Sequence, residues 1–142
     1  MNTIAPDDDR QSAYEIMAKA RHGGQALLID EEIFSRDAAN VYEKCHAAFV
    51  ARVHGSVTAF LGGCPIMMYA FDWKHKGIME QMELTSFIFD PEQNTSDDAI
   101  KMMSQILRSR RGLIAQMEEK HGELSNQARV PRDAVVRLLK PE

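Results

Sequence analysis

The chain has 142 residues, of which 44% are hydrophobic and 27% charged, and a net charge of -4. That composition suits one soluble domain with its own core and excludes a disordered or collagen-like chain. No apolar run approaches the ~18 residues of a membrane-spanning helix, and the opening MNTIAPDDDR is acidic where an export signal is basic. A cytoplasmic protein with no membrane partner is expected.

Charge is unevenly placed. Residues 1–100 hold 8 basic and 16 acidic side chains, whereas residues 101–142 hold 9 and 5. The acidic body disfavours nucleic acid, while the basic C-terminal third suits an acidic partner. Cys45 and Cys64 form neither a ligand cluster nor a disulfide framework, and read as small apolar groups of a reducing compartment.

Residues 1–9 read as a short tail, in which Asp7, Asp8 and Asp9 face the positive end of a helix over 10–22. Ala13, Ile16, Met17 and Ala20 repeat at helical intervals, and Gly23-Gly24 stops the run. QALLIDEEIF at 25–34 is read as a short helix, because no partner strand is evident nearby.

A long helix is expected over 37–61, with Ala39, Tyr42, His46, Phe49, Val53, Val57 and Phe60 on its inward face. Gly62-Gly63 and Pro65 stop it. Residues 66 to about 88 are also read as helix, with Gly77 as a candidate break. Their end, LTSFIF, has strand-like composition, but a lone strand leaves its backbone groups unpaired.

After a turn at DPEQNTS, Thr95 or Ser96 caps a helix over 97–125. Its residues Ile100, Met103, Leu107, Arg110, Ile114, Met117, His121 and Leu124 alternate by three and four, the seam spacing of helices packed side by side. Pro131 then opens a short last helix with Ala134, Val135, Leu138 and Leu139 on one face. The expected fold is all-α: a small helical bundle of about four main helices and one or two short ones, forming a single domain over 10–140. Its seam could also serve a homodimer.

Three of the five histidines have a carboxylate three positions earlier: Glu43/His46, Asp72/His75 and Glu118/His121. On a helix that spacing stacks both side chains on one face. Imidazole suits iron, manganese or zinc, and a carboxylate can bridge two ions. With Glu15 and either Glu80 or Glu83 from two further helices, the order Glu15, Glu43/His46, Glu83, Glu118/His121 resembles the ferritin-like di-iron carboxylate pattern. That resemblance implies a di-metal site for iron, manganese or zinc, although GGCP is far shorter than the long connection such folds place there.

A protein partner is the leading expectation. Met67, Met68, Met79 and Met82 cluster in sequence with Tyr69, Phe71 and Trp73, and methionine adapts its shape to varied apolar partners. Trp73 reads as an anchor in that surface, while Arg108 and Arg111 share a basic face suited to carboxylates. No glycine-rich phosphate loop or nucleophile–base spacing is present. The sequence thus points to a small helical interaction or regulatory protein without catalytic activity and with no resident cofactor, ahead of a di-metal oxidoreductase and of a nucleic-acid-associated regulator.

Overall fold

The computed structural model describes residues 9–19, 26–31 and 33–138. The chain divides into two compact units, residues 1–33 and 34–142. In the first, among the described residues, helix α1 (Arg10–Lys19) is the regular element, and the Tyr14 hydroxyl donates to Asp30 Oδ2 at 2.8 Å. The tail expected over 1–9 lies, apart from Asp9, outside the described residues. The described part of 25–34 carries no helix: Leu27 and Ile29 are exposed, so no apolar face is buried to repay the cost of nucleating one.

The second unit overturns the all-α expectation. Among the described residues it runs α2 (Ser35–Glu43), β1 (Ala48–Val50), α3 (Val53–Leu61), β2 (Ile66–Tyr69), α4 (Trp73–Gln81), a 3-10 turn (Thr85–Phe87), β3 (Ile88–Phe89), α5 (Ser96–Arg108) and α6 (Arg110–Leu138). Among the described residues helix makes up 66% and strand 7%, so the architecture is mixed α/β. The expected helix over 37–61 is broken by β1, and the helix expected from 66 to about 88 begins with β2 and ends where β3 starts. The seam helix expected over 97–125 is also two helices, parted at Ser109.

The three strands form one parallel sheet in the order β1-β2-β3. Parallel neighbours cannot be joined by a tight hairpin, so each connection must cross over. α3 makes the first crossover and α4 the second. The register pairs Phe49 with Met67, Val50 with Met68, and Tyr69 with Phe89. Alternation therefore places Val50, Met68 and Ile88 on one side of the sheet, and Phe49, Met67, Tyr69 and Phe89 on the other.

β2 is the buried centre. Ile66, Met67 and Met68 are all buried, and they join Ala59 and Phe60 of α3, Met79 of α4, and Ile106 of α5 in one core. Leu113 and Met117 of α6 extend it. Because β2 is apolar on both sides, its sequence lacks the in–out alternation that identifies a half-exposed strand.

Local chemistry fixes the junctions. Gly62 follows α3 where a Cβ would stand 2.6 Å from the Ala39 carbonyl oxygen, so a larger residue would force α2 and α3 apart. Gly63 adopts φ +64°, the left-handed turn that releases the chain into β2. Thr95 and Asp98 cap α5 reciprocally: the Thr95 hydroxyl accepts from the Asp98 amide, while the Asp98 carboxylate accepts from the Thr95 amide at 2.9 Å.

Arg110, expected as a polar interruption of a seam, instead anchors the start of α6. Its Nε donates to the His46 carbonyl at 3.1 Å and Nη2 to the Cys45 carbonyl at 3.4 Å. Pro131 does not begin a separate helix; α6 continues through it to Leu138. Proline removes one backbone bond and crowds the preceding turn, a cost α6 carries in a stretch whose side chains are exposed from Asn126 to Arg137.

The core assignment separates two residues that helical periodicity treats alike. Met68→Ala should lower the unfolding free energy by about 2–5 kcal/mol, whereas Ile100→Ala, on an exposed face of α5, should change it by less than about 0.5 kcal/mol. Urea denaturation of the two variants checks this, and equal losses would contradict the assignment.

Candidate functional site

Parallel sheets gather loops and helix N-termini beyond the carboxyl ends of their strands, which is where ligands of open α/β folds bind. Here that edge holds a cleft of about 250 Å³ lined by the segment after β2 (Ala70, Phe71, Asp72), Trp73 and Lys76 of α4, and Asp90, Pro91 and Glu92 after β3.

Asp72 is the N-cap of α4. Its Oδ1 accepts from the backbone amides of Lys74 at 2.8 Å and His75 at 3.2 Å, and from His75 Nδ1 at 2.8 Å. The ring of His75 is buried, and its Nε2 lies 3.1 Å from the Ala51 carbonyl oxygen after β1. His75 thus ties the ends of β1 and β2 together through the first turn of α4. Burial acts to raise the Asp72 carboxyl, but the bonds from the His75 amide, the His75 ring and the Lys74 amide outweigh it and leave it below its ordinary value.

Across the cleft, Asp90 closes the turn after β3. Lys76 Nζ stands 3.1 Å from its Oδ2, the Glu92 amide donates to Oδ1, and Gln93 Nε2 donates to Oδ2. The Lys76 bond, aided by the Glu92 amide, lowers the Asp90 carboxyl. Asp72, His75, Lys76 and Asp90 are engaged with one another and with backbone, which ties this edge into a frame.

Beside the frame lies a row of aromatic rings. Phe49, Tyr69 and Phe89 share the side of the sheet described above, with centroids 5.8–6.2 Å apart. Phe71 continues the row, 6.2 Å from Tyr69 and 4.3 Å from the His75 ring. Phe49 is 54% exposed, Phe71 65% and Trp73 77%. Lys74 Nζ lies 5.9 Å from the Trp73 ring. Phe49 stands exposed in β1, where helical spacing predicts an inward face on a long helix. The signal that could have found the row is its alternation with Val50, Met68 and Ile88.

The expected partner surface is redrawn accordingly. Met67, Met68, Met79 and Met82 are all buried in the core and present nothing to a partner. Trp73 is exposed, as are Arg108 and Arg111, which flank the α5–α6 junction.

The six residues considered for metal binding are spread among other tasks. Glu15 lies in the first unit, where it accepts from Gln11. Glu43 pairs with Lys44 at the end of α2, while His46 falls in the loop before β1, so the two share no helical face. Glu83 adopts φ +58° just past the end of α4, a left-handed stop usually given to glycine, and Lys120 of α6 holds it at 2.6 Å. Glu118 is exposed on α6, and His121 stacks edge-on to Phe60 at 6.3 Å. Among the described residues no three histidine, cysteine or carboxylate side chains gather to hold an ion. Of the three histidine–carboxylate pairs, Asp72/His75 is the one whose side chains meet.

Cys64 is not an activated nucleophile. Burial, reinforced by Cys45, pushes the Cys64 thiol up to about 11, far from the thiolate form at neutral pH. Among the described residues no helix is long and apolar enough to cross a membrane. No protein family, curated protein or solved structure matches the chain.

Because Asp72 and Asp90 ionise more readily folded than unfolded, their stabilisation is present above the ordinary value of 3.8 and is lost as pH falls below it. Unfolding free energy should therefore drop between about pH 5 and about pH 2, and the double variant Asp72→Asn, Asp90→Asn should show a shallower drop. Identical slopes by denaturant titration at each pH would contradict this.

Proposed function

We propose that the chain is a small protein-interaction module whose working surface is the aromatic row at the carboxyl edge of the sheet. The observation that carries this is the connected row Phe49–Tyr69–Phe89–Phe71, two of whose rings are more than half exposed, next to an exposed Trp73. Isolated exposed apolar side chains are ordinary, but a contiguous aromatic patch on such a frame marks a contact surface. Aromatic side chains also supply much of the binding energy of known interfaces while losing little conformational entropy.

The support holds together because Asp72, His75, Lys76 and Asp90 bind one another and the strand ends. Their engagement also favours a contact role over catalysis. The matching partner is a protein segment presenting apolar side chains to the rings, with polar groups at its rim. A cytoplasmic location is part of this reading, supported by two cysteines that are both free thiols.

The test is site-directed photo-crosslinking in cells. A photo-reactive amino acid replacing Phe71 should trap a discrete protein, and one replacing the exposed Gln105 on α5 should not. Adding Phe49→Ser and Trp73→Ala should abolish the adduct while the thermal midpoint stays within a few degrees. No adduct from position 71, or equal adducts from both positions, would overturn the proposal.

A further inference from the structure

The cleft at the carboxyl edge of the sheet opens directly beside the aromatic row. Phe71 belongs to both: its ring lies 6.2 Å from Tyr69 at the end of the row, and it lines the cleft together with Trp73. A partner segment lying along the row therefore meets the cleft next. At about 250 Å³ the cleft has room for one large side chain and is smaller than the pockets that enclose whole small-molecule ligands.

Its walls differ in what they still have to offer. Phe71 and Trp73 are rings that stand mostly in solvent. Three carboxylates, Asp72, Asp90 and Glu92, line the cleft against the ammonium of Lys76. Asp72 is engaged by the α4 cap and His75, and Asp90 by Lys76, Gln93 and the Glu92 amide. The Glu92 side chain is exposed, and among the described residues no hydrogen bond or ion pair holds its carboxylate. Lys74 Nζ already lies 5.9 Å from the Trp73 ring, so this ring draws a cation from the protein itself. With Lys74 counted, three carboxylates still face two ammoniums.

We propose that this cleft receives an arginine side chain of the partner protein, its guanidinium lying against Trp73 and forked onto the Glu92 carboxylate. The assignment rests on the aromatic row being a contact surface, and it names the charged group the partner carries beside its apolar side chains. A planar guanidinium stacks on a ring face and donates two parallel hydrogen bonds to one carboxylate, whereas an ammonium is a point charge. Lys76 already gives Asp90 its ammonium, which leaves Glu92 with both oxygens open. A neutral or acidic side chain would leave the surplus negative charge uncompensated.

Trp73 is the one tryptophan of the chain, so its fluorescence reports on the cleft. Titrating N-acetyl-arginine methylamide into the full chain should change Trp73 emission saturably, in the millimolar range expected for so small a ligand. The citrulline analogue, similar in shape but uncharged, should do nothing at far higher concentration, and the lysine analogue should bind more weakly. Glu92→Gln should weaken the arginine analogue about fivefold or more, with an unchanged thermal midpoint. No saturable change, an equal response to the citrulline or lysine analogue, or undiminished binding by Glu92→Gln would overturn the proposal. The cellular adduct at position 71 separates it from the reading beneath it. An adduct that survives Glu92→Arg in full yield sinks the arginine and leaves the contact surface standing. Arginine binding with no adduct in cells overturns the contact surface alone.

Discussion

Pairing of the four-residue strand β2 on both of its edges is the constraint from which the rest of the unit follows. Ile66–Tyr69 meets β1 on one side and β3 on the other, both parallel to it. Its backbone groups can be buried only because neighbours on each side accept and donate to them. Parallel neighbours require crossovers, which is why α3 and α4 exist where they do. The helices in turn bury Ala59, Phe60 and Met79 against the sheet. Remove the pairing, and Met67, Met68 and Ile66 have no reason to be internal.

The same constraint produces the surface of interest. Parallel strands end together, so the chain must turn at Phe71–Asp72 and at Asp90–Pro91 along one edge. Asp72 and Asp90 fix those turns with bonds to His75, Lys76 and backbone amides. The row Phe49–Tyr69–Phe89 stands on the side of the sheet opposite Val50, Met68 and Ile88, incompletely covered. At the other extreme, α6 is held at its start by Arg110 and at its middle by Lys120 and Gln116, which grip the turn at Glu83. Its remainder has no such anchors among the described residues.

Helices capped by clear local chemistry were legible in the sequence. The Thr95 cap of α5 and the glycine stop at 62–63 both stand where residue chemistry predicts them. The strands were not, for a physical reason. Each is two to four residues long and apolar, and a short apolar run fits a helical stripe as readily as a strand. Taken alone, LTSFIF is a strand without a partner, yet β1, β2 and β3 are partners of one another. Partnering is a property of the set, and testing each segment alone conceals it. Of the site, Trp73 stands out by residue type, and its ring is exposed. The methionines were not legible, because adaptable side chains serve a core and a contact surface equally well. Asp72 with His75 was visible as a spacing, but its role as a tie between strand ends depends on the Ala51 carbonyl, 24 residues away.

The most direct measurement is backbone NMR of the full chain, reading chemical shifts and cross-strand contacts at β1, β2 and β3. Extended-type shifts over 48–50, 66–69 and 88–89 are predicted, with close contacts between Phe49 and Met67 and between Met68 and Ile88. Helical shifts running unbroken through 48–50 and 66–69 would contradict the sheet and, with it, the frame of the proposed surface.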